Sequence, residues 1–333
     1  MISFYRSTVS LQLAKIFGFI LLSYQLNAAP PTPQQSDENV RKLYQSLNDH
    51  SYSDMAARLN FISSQFLGKP YVLGSLGEGP SGRYDQSPLY RFDGFDCETY
   101  VDTVLAIALA NDNSSFQQCI KNIRYWNAQV DFLTRNHFMS LDWNPNNQQQ
   151  GFIADITTSF KNQKNESIAK MAVTLIDKPS WYQHFNLKAI KLSESNGEEK
   201  ALRLAELKAK GRKLPIREAQ IPYLPFDALF DKNGNPDKQV FAQIPNASII
   251  EIVRPNWDLK DKIGTNLDVS HLGFAFWKDG TLMFRQASSI ENKIIEVPLV
   301  DYLRNARSSP TIKGINVQQI VPKQPISNGC SIK

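Results

Sequence analysis

The chain has 333 residues, 42% of them hydrophobic and 21% charged, so it can bury one large core or two small ones and is neither disordered nor collagen-like. Its 18 prolines and 16 glycines form no low-complexity tract, and no self-similarity of the roughly 20–50-residue period of solenoids is present. The formal charge of +5 includes Arg6 and Lys15 of an acid-free leader, too weak a balance to argue for nucleic acid as a partner.

In the leader, Arg6 and Lys15 precede an apolar run, Ile16 to Leu22, that ends in Asn27-Ala28-Ala29 and then prolines. This is the pattern of a signal peptide over residues 1–28, cleaved near Ala28 or Ala29, with an uncleaved anchor as the alternative. The run falls short of the ~20 apolar residues a membrane span needs. A periplasmic or secreted protein with no stable membrane span after processing is expected. Residues 29–54 read as a linker, with Pro30, Pro31 and Pro33, and an N-terminal helix. Apolar Val40, Leu43 and Leu47 have helical spacing, and two helices fill Glu38 to Phe66. From Gly68 to Gly94 the chain is rich in Gly, Pro and Ser and predicts a long ordered loop, a kind that is commonly functional.

Phe95-Asp96-Cys97-Glu98-Thr99-Tyr100-Val101 then leads into a helix whose Val101, Val104, Leu105 and Ala108 share one face. Residues 55–144 are assigned to the N-terminal half of a core, and residues 145–240 to a partly helical insertion. Within the insertion, Glu198 to Lys213 alternates charges with Leu202, Ala205, Leu207 and Ala209 and reads as a solvated helix. Ile221 to Leu224 and Ile249 to Val253 predict strands. Ser270 to Trp277 and Leu282 to Ala287 flank Asp279-Gly280, the signature of a two-residue hairpin. Residues 241–305 form the sheet half of the core, and 306–333 a tail.

Cys97 at a helix start carries chemistry, because free N–H groups and the helix dipole stabilise a thiolate; the bland alternative is a small buried residue. A thiol nucleophile needs a base, and of His50, His137, His184 and His271 the last, opening the hairpin, is best placed. A two-residue turn pairs Lys278 with Thr281 and sets Gly273 opposite Gln286. Gln286 then shares a face with His271, Gly273 leaves room between them, and the amide carbonyl can fix the imidazole tautomer. Three cysteines are too few for a disulfide scaffold. Cys119 and Cys330 could pair and leave Cys97 free, but three unpaired cysteines are expected. No His-Glu-x-x-His or close His/Cys pair exists, so neither metal nor other cofactor is expected.

Gly68-Lys69-Pro70-Tyr71, Asp96-Cys97 at a helix start, and a later strand with His271 resemble the NlpC-type branch of the papain-like cysteine hydrolases. Together with Arg135-Asn136-His137-Phe138, Asp142-Trp143, Leu267 to Gly273 and Gln286 to Ser289, they resemble more closely the bacterial AmiA-like N-acetylmuramoyl-L-alanine amidase family, over roughly residues 55–305. The resemblance implies an α+β, papain-like (NlpC-type) cysteine hydrolase core with a helical N-terminal region and a large insertion between the Cys helix and the His strand. It implies a triad of Cys97, His271 and Gln286, where relatives often carry a second histidine. It further implies that Tyr71 helps the Cys97 N–H hold an oxyanion, that Ser270 contacts substrate, and that Arg135, His137, Asp142 and Trp143 border the groove. Arg135 would supply a cation there and Trp143 an aromatic face. The implied partner is peptidoglycan or a released muropeptide, cut between the muramoyl group and L-alanine. A γ-D-glutamyl-diamino acid endopeptidase and a non-catalytic cell-wall-binding protein are the alternatives, and the oligomeric state has no signature.

Overall fold

The structure, a computed structural model, describes residues 32–330 except 50–51, 53, 195 and 327–328; the expected signal peptide at 1–28 and His50 lie outside the described residues. Helix α1 (Pro33–Asn48) begins at Thr32, whose hydroxyl and backbone N–H exchange hydrogen bonds with Gln35. Asp54 caps α2 (Met55–Ser64) through the Ala57 N–H at 2.8 Å. After the long loop come α3 (Cys97–Leu109), α4 (Asn113–Arg124) and α5 (Asn144–Gln149). The remaining α-helices are α6 (Lys178–Gln183), α7 (Gly197–Gly211), α8 (Phe226–Leu229), α9 (Lys238–Ala242), α10 (Lys260–Ile263) and α11 (Leu299–Ala306). No described helix is long and apolar enough to cross a membrane.

Eight strands make one sheet: β1 (Ile153–Asp155), β2 (Lys170–Asp177), β3 (Ile216–Pro225), β4 (Ser248–Asp258), β5 (Asn266–Lys278), β6 (Thr281–Ser288), β7 (Lys293–Pro298) and β8 (Gly314–Ile320). The order is β2-β3-β8-β4-β5-β6-β7, with β1 also on β8, and every pairing is antiparallel. Both faces of its centre are buried, as alternation along β5 requires. Leu272, Phe274 and Phe276 join a core with Leu59, Ile62, Tyr100, Val101, Val104 and Leu105 of α2 and α3. Ala275 joins the opposite core with Ile250, Ile252, Phe284, Val317 and, from α11, Leu299 and Leu303. Each fully buried Leu, Val or Phe contributes roughly 1.5–3 kcal/mol. The Tyr100 ring meets Phe274 edge-on at 6.1 Å and fixes α3 against β5.

This architecture corrects the expected NlpC-type papain-like core with a large insertion. β1, β2 and β3 all arise between the Cys97 helix and the His271 strand, and they are not an appendage. β3 pairs with β8 through Leu224 and Ile315, and β8 pairs along β4. Ala172, Ile176, Ala219 and Ile221 alternate inward along β2 and β3 and must bury their side chains. The physical outcome is one α+β fold around a single eight-stranded antiparallel sheet. The expectation of three unpaired cysteines is also corrected. Cys119 of α4 is bonded to Cys330, 211 residues away, so the tail is tied to α4 and Cys97 is left free.

Candidate active site

Residue Asp96 sets the start of α3. One carboxylate oxygen accepts from the Thr99 N–H at 2.9 Å and the Thr99 hydroxyl at 2.8 Å, and the other accepts from the Gly74 N–H at 2.8 Å. Helix and loop are thereby tied to one side chain, and Cys97 becomes the first helical residue. Its own N–H has no acceptor within the helix, as the first turn of any α-helix dictates. The loop returns beside it: Val72 N–H donates to Phe95 O at 2.9 Å and Phe95 N–H to Pro70 O at 3.0 Å, which sets Tyr71 next to the Cys97 segment. A Cβ at Gly94 would lie 2.5 Å from Val72 Cγ2, so that approach requires glycine.

The half-buried Cys97 sulfur receives the backbone N–H groups of Glu98 and of Leu272, the residue after His271 on β5. Burial pushes the thiol pKa up, and the Asp96 and Glu98 charges push it further, against those two hydrogen bonds. The resting group is therefore a thiol. Burial also raises the Tyr71 hydroxyl, with the Cys97 and Asp96 charges adding to it, which keeps that tyrosine a donor.

His271 is half-buried on β5, and its Nε2 hydrogen-bonds Gln286 Oε1 on β6. A carbonyl oxygen only accepts, so Nε2 carries the proton and the Nδ1 lone pair is left basic. The hairpin runs in register from Lys278 opposite Thr281 to Phe274 opposite Arg285, around Asp279 and Gly280 at φ 46° and 75°. A Cβ on Gly273 would lie 2.6 Å from Arg285 O and 3.0 Å from Gln286 Cβ, so only glycine lets the two strands meet here. Ser270 is the extra residue where β5 slips against β4, between the Ile252–His271 and Val253–Val269 pairs. Such a bulge re-aims the side chains beside it. Burial holds the imidazole down to about 4, opposed by the Gln286 bond, so it is neutral at pH 7.

Sequence reasoning missed the group that covers this ring. Tyr302 of α11 stacks on His271 with centroids 6.1 Å apart and planes at 29°, while Phe284 meets it edge-on at 6.0 Å. The Tyr302 hydroxyl is raised by burial and then by the Cys97 charge, and lowered by that of Arg254. Tyr302 thus borders the base candidate His271. The only signal in the sequence was helical spacing of Leu299 and Leu303, which gives an amphipathic helix and not its position.

Of the four expected groove residues, Trp143 is fully buried and the other three are half-buried with protein partners. Trp143 is 0% exposed and donates its indole N–H to Asp102 at 2.7 Å, so it has no face for a substrate. Arg135 donates through Nε to Glu78 at 2.8 Å and lies 3.4 Å from Asp85, over the Phe132 ring. His137 hydrogen-bonds Phe132 O at 2.8 Å within an aromatic cluster, and burial, then the Arg135 charge, hold it well below the ordinary histidine range. Asp142 pairs with Lys178 at 2.6 Å; burial raises its carboxyl and Lys178 opposes that. Trp143 is fully buried, and the half-buried Arg135, His137 and Asp142 are each engaged by another group of the protein. Accordingly, Arg135→Ala is expected to cost about 3–5 kcal/mol of stability by stranding the buried Glu78 carboxylate, and a urea unfolding curve checks this.

Glu251 on β4 lies opposite Leu272, is 0% exposed, and has one oxygen on Asn144 Nδ2 at 3.0 Å and the other unpartnered. Burial pushes its pKa up to about 8. The folded chain then holds a proton that the unfolded chain has already lost above the ordinary carboxylate range. This contribution to stability is complete at low pH and is lost as pH rises to about 8. Glu251→Gln should remove up to about 1.4 kcal/mol per pH unit of that decline, read from unfolding midpoints across the window.

Residues 61–312 match the model of the AmiA-like family, described as N-acetylmuramoyl-L-alanine amidase-like. The crystal structure of a Legionella pneumophila protein of the DUF1460 family is 51% identical, with 90% of this chain and 98% of that chain covered and a TM-score of 0.86. An N-acetylmuramoyl-L-alanine amidase from Bacteroides uniformis is 24% identical over 80% of this chain and 99% of its own, with a TM-score of 0.56, a likeness of fold. A Bacteroides fragilis protein provisionally named a xylanase is 25% identical over 78% of this chain and 99% of its own, with a TM-score of 0.52. No protein of curated function matches the chain. It is the α+β architecture with its eight-stranded antiparallel sheet, not an NlpC-type papain-like core, that this chain shares with these relatives.

Proposed function

This chain belongs to the AmiA-like, N-acetylmuramoyl-L-alanine amidase-like family, and from that membership we propose an exported cysteine hydrolase that cuts the amide between the muramoyl group and L-alanine of peptidoglycan stems. The coarser statement, a peptidoglycan amidase-like hydrolase acting on amide bonds, follows from the family. The observation that carries the cysteine mechanism is the arrangement of Cys97 at the start of α3 with its sulfur at the Leu272 N–H, beside a His271 ring oriented by Gln286. Export rests on the reading of residues 1–28 as a signal peptide.

In this mechanism His271 Nδ1 takes the thiol proton as Cys97 Sγ attacks the muramoyl carbonyl carbon. The oxyanion forms where the free Cys97 N–H and the protonated Tyr71 hydroxyl can donate. Collapse expels the L-alanyl nitrogen, which takes the proton back from His271, and leaves a muramoyl thioester. Water, deprotonated by the same Nδ1, then hydrolyses the thioester and regenerates the thiol. Gln286 keeps the proton on Nε2 throughout.

Mass analysis of products from an N-acetylmuramoyl tripeptide tests the bond. N-acetylmuramic acid and an intact peptide beginning with L-alanine are expected. Release of the diamino acid, with sugar, L-alanine and D-glutamate still joined, would replace the amidase reading by the endopeptidase one.

A further inference from the structure

Arg254 lies two residues beyond Ile252, the register partner of His271, where β4 leaves its ladder with β5 before rejoining it at Trp257. Its guanidinium carbon sits 3.6 Å from the centre of the Trp257 ring, and its Nε donates to Thr311 Oγ1 at 2.9 Å, with Nη2 donating to the same oxygen. Stacking and one hydroxyl hold the planar group in place and leave most of its five donors unspent. Arg124, Arg135 and Arg285 each face a carboxylate, at Asp102, Glu78 and Glu296. Among the described residues none forms an ion pair with Arg254, although it is half-buried and burial works against its charge. A partly desolvated cation without a counter-charge is costly unless an anion arrives to answer it. Its field reaches the Tyr302 hydroxyl, which the Cys97 charge also reaches, and the Tyr302 ring covers His271. Register thus sets the cation two residues along β4 from the partner of the base candidate His271.

We propose that Arg254, held flat by Trp257 and Thr311, binds a substrate carboxylate one residue from the scissile amide. The inference rests on the amidase reading, under which that group is the α-carboxylate of the D-glutamate following L-alanine. Arg254 then makes the cationic contact that Arg135, spent on Glu78 and Asp85, does not.

Two substrates test it: N-acetylmuramoyl-L-alanyl-D-glutamate and its α-carboxamide. The wild-type protein should use the carboxylate with kcat/KM about 10- to 100-fold above the carboxamide, the range of a hydrogen bond between charged groups. In Arg254→Met this ratio should collapse toward one, and in Arg254→Lys part of it should survive. Arg254→Gln reads the same ratio should the Met variant not fold. A wild-type ratio near one, or a ratio that survives in Arg254→Met while both substrates slow equally, would overturn the inference and leave the amidase reading standing. Release of N-acetylmuramic acid from neither substrate by the wild-type protein would overturn the amidase reading, and this inference with it.

Discussion

Cys97→Ala is expected to abolish amide hydrolysis, a loss of at least about a thousandfold, while the unfolding midpoint stays close to wild type. The two halves of this expectation have different causes. The thiol is half-buried and outside the disulfide, and it accepts only two backbone N–H groups, so losing one sulfur costs the fold little. Asp96 and Thr99, which hold the helix start, are untouched. Chemistry, by contrast, would lose the sulfur that the proposed mechanism uses to form the thioester. Stopped assays on a muramoyl peptide, beside a urea curve, measure both, and full turnover in the folded variant would remove Cys97 from the mechanism.

His271→Ala should cost nearly as much activity as Cys97→Ala, because a raised thiol pKa leaves no thiolate without a base to take its proton. Gln286→Ala should cost less, about 10- to 100-fold, since the ring is still clamped by Tyr302 and Phe284 but loses the bond that fixes its tautomer. Gln286→His should keep much of the activity. The pH profile adds a direction. In the free protein the base is neutral above about 4, so kcat/KM should rise through that region. The Gln286 bond raises the His271 pKa, so its removal should move that limb to lower pH. Unchanged activity and an unchanged limb in Gln286→Ala would show that the amide does not act on His271.

What was legible in the sequence was local. The Cys97 helix start is written in Asp96 and Thr99, and the hairpin in Asp279-Gly280, whose turn needs the positive φ angles found there. The Gly273 gap follows from strand period alone, because a slip of one residue would move Gln286 to the other face. Partners distant in the chain were not legible. The alternation of β2 and β3 says that each buries one face, but nothing in it names β8 as the neighbour that makes the sheet one piece. Cys119 and Cys330 are joined across 211 residues by packing of the tail on α4. Residue type also misled where burial decides the role. Arg135 and Trp143 offered a cation and an aromatic face by composition, yet Arg135 is paired with Glu78 and Trp143 is buried with its indole N–H on Asp102. The stacking of Arg254 on Trp257 depends on how β4 departs from its ladder, which periodicity does not encode.

The central claim is that Cys97 forms a thioester with the muramoyl carbonyl, and hydroxylamine tests it by competing with water for that intermediate. With an N-acetylmuramoyl tripeptide as substrate, muramoyl hydroxamate should appear beside N-acetylmuramic acid, in a share that grows with hydroxylamine, while the released peptide always begins with L-alanine. If N-acetylmuramic acid were the sole sugar product at every hydroxylamine concentration, water would be attacking the amide directly. A hydroxamate on a glutamyl fragment would place the cut at the wrong bond, and either result would contradict the account.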